Sequence, residues 1–308
     1  MSRMPSSSPK KSTTVRAKKW LAITSLRTAF RVLEVVAPGP GAHWAERMWL
    51  TVPKQAWKSR TPVAVPEGEP FALTVGRSTV RGTVWGDGPT IYLMHGWGGT
   101  ASQLDAFVEP LTAAGHRVVS FDAPGHGRST QSMAGRGRST LPEFMDSLRA
   151  AVDRYGEPHA VIAHSFGAAA VVLAVLDGLP AGRLAMISPM ADPIGFSYPF
   201  AKMLGFGERI RTGFLRVLEK RVATSMDVFD IPKRLRTADP ASLPPLVVVH
   251  DLGDREIPVA FGEQLKALWP GAEFDAWTGL GHYRILVDPD VVRQVAAFSS
   301  APRTLPVP

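Results

Sequence analysis

The chain has 308 residues, of which 45% are hydrophobic and 20% charged, a globular composition that excludes disorder as its main state. It contains no cysteine, which excludes disulfide bonds, thiolate metal sites and a cysteine nucleophile. The formal net charge of +8 arises in residues 1–33, which hold eight Lys and Arg residues and no Asp or Glu. The rest of the chain is formally neutral, so we expect no specific nucleic-acid partner.

The N-terminal segment predicts a basic arm followed by an amphipathic helix. Residues 1–19 are rich in Ser, Thr, Lys and Pro and have no apolar period, which is typical of a disordered arm. From Trp20 apolar residues recur at spacings of three and four, and the helix that they predict ends at Pro38, within a helical extension over residues 20–60. We expect its apolar stripe to pack on the main domain; the alternative is weak contact of residues 1–33 with a membrane surface or a partner. A basic, Ser-rich N-terminus also fits a transit peptide.

From residue 61 the sequence predicts a mostly parallel sheet. An antiparallel hairpin over Phe71–Trp85 is followed by alternating strands and helices, which favours a doubly wound sheet with helices on both faces. The further expected strands are Thr90–Met94, Arg117–Phe121, Ala160–Ala163, Leu184–Ile187, Leu246–His250 and Glu273–Trp277. The expected helices are Ser102–Ala114, Leu141–Tyr155, Phe166–Leu176, Ala260–Ala267 and Pro289–Phe298.

About fifty residues without a convincing strand interrupt this alternation, and they predict a helical cap over residues 190–240. The cap divides the core domain into residues 61–189 and 241–308. Phenylalanine and arginine are frequent in the cap. The aromatic residues favour a pocket for an apolar acyl or aromatic group, with the alternative that they hold the cap onto the body.

A serine lies at the junction of a predicted strand and a predicted helix. Ala163 and Gly167 flank Ser165 at a distance of two residues, and small residues at these positions allow the backbone to turn sharply. The turn holds the hydroxyl at the carboxyl edge of the sheet and at the N-terminus of the helix. Ser165 is therefore a candidate nucleophile, although taken alone it also fits a helix cap.

A serine nucleophile needs a base and an acid that orients the base. His282 follows the strand that ends at Trp277, and both Asp251 and Asp254 follow the strand that ends near His250. Because loops at the carboxyl ends of parallel strands meet at one edge of a sheet, these residues are expected to converge on Ser165.

Taken together, these motifs resemble the α/β-hydrolase fold family over about residues 71–298. The turn His95–Gly99 is similar to the family's oxyanion-hole turn, and Phe121–Ser129 is similar to its D-x-x-G-x-G-x-S segment. Asp254 and Pro258 fit its acid loop, with Asp251 as the alternative acid. Ala163 departs from the family's more common Gly. The resemblance implies an eight-stranded, mostly parallel sheet with helices on both faces and a helical cap, to which the N-terminal amphipathic helix is added.

The resemblance also implies a serine hydrolase that cleaves carboxylic esters or thioesters through an acyl-enzyme. Ser165 is then the nucleophile, His282 the base and Asp254 the acid, with the N–H groups of Trp97 and Phe166 as the oxyanion hole. No cofactor and no metal are expected. The remaining core histidines have no metal-ligand spacing and are expected in turn or supporting positions: His95, His126, His164 and His250.

Three questions stay open at the level of the sequence. C–C bond hydrolases and perhydrolases share the same triad, so they are alternative activities. An alternative of another class is a non-catalytic binding protein that is tethered by its basic N-terminal arm. We expect a small-molecule ester or thioester substrate with an apolar acyl or aromatic group. The expected location is cytoplasmic, with peripheral membrane contact as the alternative. The sequence indicates no oligomeric state.

Overall fold

The computed structural model describes residues 10–53 and 63–302, with only the backbone described over residues 10–19. The chain forms two compact units. The first, here called the helical unit, comprises the residues up to Trp49 together with Gly195–Met226. The second, the sheet unit, comprises Leu50–Ile194 and the residues from Asp227 onward.

The elements alternate along the sheet unit as the sequence predicts. The strands are β1 Glu69–Val75, β2 Ser78–Trp85, β3 Thr90–Met94, β4 Arg117–Asp122, β5 Pro158–His164, β6 Leu184–Ile187, β7 Leu246–Asp251 and β8 Glu273–Trp277. The helices are α1 Lys10–Val36, α2 Pro38–Trp49, α3 Val108–Ala113, α4 Leu141–Tyr155, α5 Phe166–Leu176, α6 Ser197–Leu204, α7 Glu208–Val222, α8 Ile231–Leu235, α9 Val259–Leu268, α10 Gly281–Arg284 and α11 Pro289–Ser300.

One eight-stranded sheet runs in the order β1-β2-β4-β3-β5-β6-β7-β8. The pairs β1–β2 and β2–β4 are antiparallel, whereas every other neighbouring pair is parallel. The central strands β3, β5, β6 and β7 are buried along their whole length, which explains their continuous apolar sequences. The predicted mostly parallel, eight-stranded sheet is thereby confirmed.

One predicted helix of the sheet unit has a different form. The segment expected as a single helix over Ser102–Ala114 is a 3-10 helix over Ala101–Phe107 followed by α3. Pro110 lies in the first turn of α3, the part of an α-helix that tolerates a residue without an N–H group. The proline therefore favours an α-helix that begins near Val108 rather than one that runs through it.

The N-terminal helix begins at Lys10, before its predicted start at Trp20. Residues 1–9 of the predicted arm and residues 54–60 of the predicted extension lie outside the described residues. Lys, Arg and Ala have high helix propensity, and a helix that has formed extends through such residues at little cost. Pro38, at which the helix was expected to end, is the first residue of α2, a position where its fixed φ is suited to a helix.

Aromatic side chains form the interior of the helical unit. Phe30 of α1 is buried and stacks on Trp44 of α2, with ring centroids 4.6 Å apart. Trp49 contacts the rings of Phe200 and Phe214 at 4.9 and 5.5 Å. The amphipathic stripe of α1 thus packs on α2 and on the segment Gly195–Met226 only around Phe30, because Trp20 and Ile23 at its start are 66% and 47% exposed. The segment predicted as one cap, residues 190–240, is divided, because residues from Asp227 onward cluster with the sheet unit.

Hydrogen bonds from α1 satisfy the ends of both neighbouring helices in the helical unit. Arg27 donates to the carbonyl oxygens of Lys202 and Met203 at 3.0 and 2.8 Å, in the last turn of α6. The Glu34 carboxylate accepts the N–H groups of Gly207, Arg209 and Ile210 at 3.0, 2.9 and 3.2 Å. These groups begin α7 and have no partner within their own helix, so Glu34 caps α7 from a distant part of the chain.

Replacing Glu34 with alanine is expected to lower the free energy of unfolding by about 1–2 kcal/mol, because three helix-terminal N–H groups lose their acceptor. Glu34→Gln, which keeps one carbonyl oxygen, should have an intermediate effect. Urea or thermal unfolding of the full chain followed by circular dichroism measures the difference. Glu263→Ala, at an exposed glutamate within α9, is the matched control and should change stability by less than about 0.5 kcal/mol. Equal effects of Glu34→Ala and Glu263→Ala would contradict the capping role.

Candidate active site

Ser165 occupies a strained turn between β5 and α5. Its φ of 54° lies in the left-handed region, which costs a non-glycine residue of order 1–3 kcal/mol. Hydrogen bonds hold the turn: the Ser165 N–H donates to Ile187 at 3.0 Å, and its carbonyl accepts from Ala168 and Met190, both at 3.1 Å. The side chain is thereby fixed at the carboxyl end of β5 and at the N-terminus of α5.

Two glycines allow the turn after β3 to approach Ser165 closely. A methyl group on Gly96 would lie 2.9 Å from the Ser165 Cβ, and one on Gly167 would lie 2.4 Å from the His95 carbonyl oxygen. Both distances are too short for a side chain, so these positions require glycine. Ala163, where the family pattern commonly has Gly, is fully buried within β5, which accommodates its methyl group.

His282 links Ser165 to Asp254. Its Nε2 lies 3.1 Å from the Ser165 Oγ and its Nδ1 lies 2.7 Å from the Asp254 Oδ2. The other carboxylate oxygen of Asp254 accepts the N–H groups of Glu256 and Ile257 at 2.8 and 3.0 Å. His282 itself lies in α10, a single turn of helix after β8 that the sequence does not predict. The three predicted residues therefore meet in one continuous chain of hydrogen bonds.

The surroundings of Asp254 favour its ionised form. Burial raises the pKa of this carboxyl, but the hydrogen bond and charge of His282 and the two backbone N–H groups outweigh burial and lower the pKa to about 2. An unfolded aspartate titrates near 3.8. The stability that the ionised carboxylate contributes is therefore present above about pH 4 and is lost as the pH falls towards 2. At neutral pH Asp254 is an anion placed to orient a histidine.

Asp251, the alternative acid, is buried and has other partners. Its Oδ1 accepts the N–H of Gly253 at 2.8 Å and its Oδ2 accepts the N–H of Leu280 at 2.7 Å. Gly253 lies in the loop that carries Asp254, and Leu280 lies next to the helix that carries His282. Asp251 thus joins the two loops, whereas Asp254 contacts the imidazole.

Two further histidines support the loops that carry His282 and Asp254. His164 is buried, donates from Nε2 to the His282 carbonyl oxygen at 3.0 Å, and places its ring centroid 4.5 Å from that of His282. Burial, with the nearby His282, holds the pKa of His164 well below its usual range. His250 donates from Nε2 to the Ile257 carbonyl oxygen at 3.1 Å, and burial lowers its pKa as well. Both rings are neutral, so they position the loops without adding charge beside Asp254.

His95 and His126 hold the turn that follows β3. The Nε2 of His95 accepts the N–H of Ala123 at 3.0 Å, and the Nε2 of His126 accepts the N–H of Gly98 at 3.1 Å. Burial, followed by the neighbouring His95, lowers the pKa of His126 to about 3. The Nδ1 of His95 donates to the Gly96 carbonyl oxygen at 2.7 Å, and burial lowers the pKa of His95 as well, so neutral imidazoles fix the backbone on both sides of Trp97.

The two expected oxyanion donors are neighbours. The rings of Trp97 and Phe166 contact each other with centroids 4.9 Å apart. Phe166 is the first residue of α5, so its N–H has no acceptor within the helix and is directed outward at the positive end of the helix dipole. The arrangement suits an anionic oxygen next to the Ser165 hydroxyl.

Sequence reasoning missed the buried carboxylate of Asp122, which ties the turn after β3 to the turn after β4. It accepts the N–H of Ala101 at 2.7 Å and that of Arg128 at 2.9 Å. The D-x-x-G-x-G-x-S pattern contains Asp122, but the pattern alone does not reveal which backbone N–H groups donate to its carboxylate. Within the part of the chain that the structure describes, no three histidine or carboxylate side chains are grouped as a metal ion requires.

Comparisons with known proteins identify the family to which the fold belongs. A family model described as the alpha/beta hydrolase family matches residues 91–295. The chain is 37% identical over 86 residues to a bifunctional esterase/perhydrolase of Acinetobacter calcoaceticus, which covers 27% of this chain and 30% of that protein. It is 26% identical over 237 residues to 2-hydroxy-6-oxononadienedioate/2-hydroxy-6-oxononatrienedioate hydrolase 2 of Pseudomonas putida, which covers 63% of this chain and 81% of that protein.

A solved thermophilic esterase from Thermogutta terrifontis has a similar fold, with a TM-score of 0.55 and 18% identity, covering 76% of this chain and 98% of that one. At this level of identity the likeness concerns the fold alone. The match to the Acinetobacter protein spans less than a third of that relative's length. The family model, in contrast, matches more than half of the chain, from β3 to α11. The chain belongs to the alpha/beta hydrolase family.

Proposed function

We propose that the chain is a serine hydrolase that cleaves carboxylic esters or thioesters through an acyl-enzyme on Ser165. The observation that carries this proposal is the unbroken series of contacts from Ser165 Oγ to His282 Nε2 and from His282 Nδ1 to Asp254 Oδ2, at 3.1 and 2.7 Å. Both distances are those of hydrogen bonds that transfer or orient a proton.

In the proposed acylation step, the Ser165 oxygen attacks the substrate carbonyl carbon while its proton moves to the Nε2 of His282. The carbonyl oxygen becomes an oxyanion and accepts the N–H groups of Trp97 and Phe166. Asp254 stabilises the imidazolium, which then gives its proton to the departing alcohol or thiol. In the second half-reaction His282 takes a proton from water, and the resulting hydroxide attacks the acyl carbon. The bond from that carbon to the Ser165 oxygen then breaks, His282 returns its proton to that oxygen, and a carboxylic acid leaves.

The aromatic residues at the proposed oxyanion donors support a substrate with an apolar acyl or aromatic group. The ring of Phe144 lies 5.1 Å from that of Phe166 and 6.2 Å from that of Trp97, so three aromatic side chains pack together at the residues that carry the proposed oxyanion donors. Sequence analysis predicts an acyl pocket from the aromatic residues of the cap. Those of Gly195–Met226 instead pack on each other and on Trp49. A cytoplasmic location and weak membrane contact through residues 1–33 stay predictions.

A second activity, perhydrolysis, is favoured by one observation: the similarity to the Acinetobacter esterase/perhydrolase. Hydrogen peroxide would then replace water as the attacking group on the same acyl-enzyme. The similarity to the hydrolase of Pseudomonas putida leaves hydrolysis of a C–C bond as a further alternative activity. All three activities require the same three side chains, whereas a non-catalytic binding protein requires none of them.

A panel of model substrates tests the proposal. We expect steady turnover of p-nitrophenyl esters or of acyl thioesters, with kcat/KM changing by about tenfold or more across acyl lengths, as each buried methylene contributes to binding. Formation of a peroxycarboxylic acid that requires hydrogen peroxide and is faster than hydrolysis of the same ester would favour the perhydrolase. A folded chain that turns over no substrate of the panel and does not react with a fluorophosphonate would overturn the proposal in favour of a binding protein.

A further inference from the structure

Helix α1 has two apolar faces, of which the packing of the helical unit uses one. Phe30 is 0% exposed and marks the packed face. Leu21, Val32 and Val35 are 57%, 54% and 71% exposed. At about 100° per residue they lie on the side of the helix opposite Phe30. Leu21, Val32 and Val35, with the exposed Val36, are here called the second face of α1.

Exposed apolar side chains are concentrated in the helical unit. Among the residues whose side chains the structure describes, fourteen large hydrophobic side chains are exposed, and nine of them belong to this unit. The helical unit is much the smaller of the two, so the concentration is not a matter of size. Four of the nine, Leu21, Val32, Val35 and Val36, share the second face of α1, and an exposed apolar face of this kind is a candidate interaction site.

Positive charge is concentrated in the same unit. Residues 10–49 and 195–226 contain 14 Lys and Arg against 4 Asp and Glu, whereas residues 50–194 and 227–308 contain 20 against 23. All four acids are already engaged: Glu34 caps α7, Glu46 pairs with Arg221, Glu208 pairs with Arg211, and Glu219 accepts the N–H of Met226. The excess charge found by sequence is therefore not confined to the N-terminal arm; it extends through α7.

We propose that the helical unit docks on the surface of an anionic phospholipid bilayer through the second face of α1. The apolar residues of that face would enter the boundary between headgroups and acyl chains, and Lys and Arg side chains of the same unit would contact lipid phosphates and carboxylates. No helix among the residues of known placement is long and apolar enough to cross a bilayer, so α1 would lie in the plane of the surface.

The positive charge of the helical unit and the apolar residues of the second face together favour an anionic bilayer over two other binding partners. A nucleic acid would satisfy the cations but would leave the valines of the second face against phosphate. A second copy of the chain would cover the valines but would bring two strongly basic units together, which like charges oppose. An anionic bilayer offers both negative charge for the cations and an apolar environment for the valines. The inference concerns the helical unit alone and does not depend on the proposed reaction at Ser165.

Sedimentation of the full chain with vesicles tests the proposal. At about 0.1 M salt we expect binding to phosphatidylcholine vesicles that contain about 30% phosphatidylserine, and at least about tenfold weaker binding to phosphatidylcholine alone. The double variant Val32→Glu, Val35→Glu should lower the partition coefficient on the anionic vesicles by about tenfold or more. The variant Val32→Ser, Val35→Ser, which adds no charge, should lower it by a smaller factor.

The matched control is Val63→Glu, Val228→Glu, which makes the same change at two exposed valines of the sheet unit. It should leave vesicle binding within about twofold of the unchanged chain. Absence of wild-type binding to the anionic vesicles, or equal losses in both glutamate variants, would overturn the proposal. Two other results would also overturn it: binding to duplex DNA that exceeds vesicle binding, and a dimer in sedimentation velocity that the Val32→Glu, Val35→Glu variant abolishes.

Discussion

Replacing Ser165 with alanine should lower kcat for ester hydrolysis by about 10⁴-fold or more and should abolish covalent labelling by a fluorophosphonate. The loss should be this large because the hydroxyl forms the covalent bond. Without it His282 has no nucleophile to activate, and no tetrahedral oxyanion forms for the N–H donors to stabilise. Intact-mass measurement should show one adduct on the unchanged chain and none on Ser165→Ala. Turnover of the best model ester gives the change in kcat.

Ser188 provides a matched control for this experiment. It is a buried serine at the end of β6 and has a positive φ of 46°, close to the 54° of Ser165. Its Oγ has no hydrogen-bond partner among the described residues, and no histidine is paired with it. Ser188→Ala should keep kcat within about threefold and retain the adduct. An adduct that persists in Ser165→Ala would show that another group is the nucleophile.

The positions of the candidate triad could be predicted because each residue directly follows a strand. The strands that end at His164, Asp251 and Trp277 are legible in the sequence, the first two as apolar runs and the third as an alternation of apolar and charged residues, and parallel strands bring their carboxyl ends to one edge. Ser165, Asp254 and His282 lie within a few residues of these ends. Short loops leave little freedom, so the order of the elements alone nearly determines that the three side chains meet.

Partners far apart in the chain could not be predicted. Nothing in the sequence around Glu34 indicates that its carboxylate caps a helix that begins at Glu208, because that contact depends on how α1 packs. The second face of α1 was missed for a related reason. Leu21, Val32 and Val35 also recur at helical spacing, but a search for a single amphipathic stripe assigns only the stripe that contains Phe30.

The roles of Asp251 and Asp254 could not be distinguished by sequence either, since both are carboxylates in the same loop. The two residues differ in the hydrogen-bond donors that their carboxylate oxygens contact. Asp251 accepts one backbone N–H from each of two loops, whereas Asp254 accepts two amides with one oxygen and keeps the other for His282. This distinction leads to the second large expected effect.

Asp254→Asn should lower kcat by about 10³–10⁴-fold at neutral pH, because an amide cannot stabilise the imidazolium and can hold the imidazole in the wrong tautomer. Asp251→Asn should lower kcat by less than about tenfold but should reduce the free energy of unfolding by about 1–2 kcal/mol, since one of two buried backbone N–H groups loses its acceptor. Steady-state kinetics and urea unfolding on both variants separate the two roles. Because the Asp254 carboxyl titrates near pH 2 in the folded chain, the kinetic loss in Asp254→Asn should be seen throughout the range from about pH 5 to 9. The reverse pattern, with the large kinetic loss in Asp251→Asn, would assign the catalytic acid to Asp251 and would leave Asp254 as the residue that supports the loop.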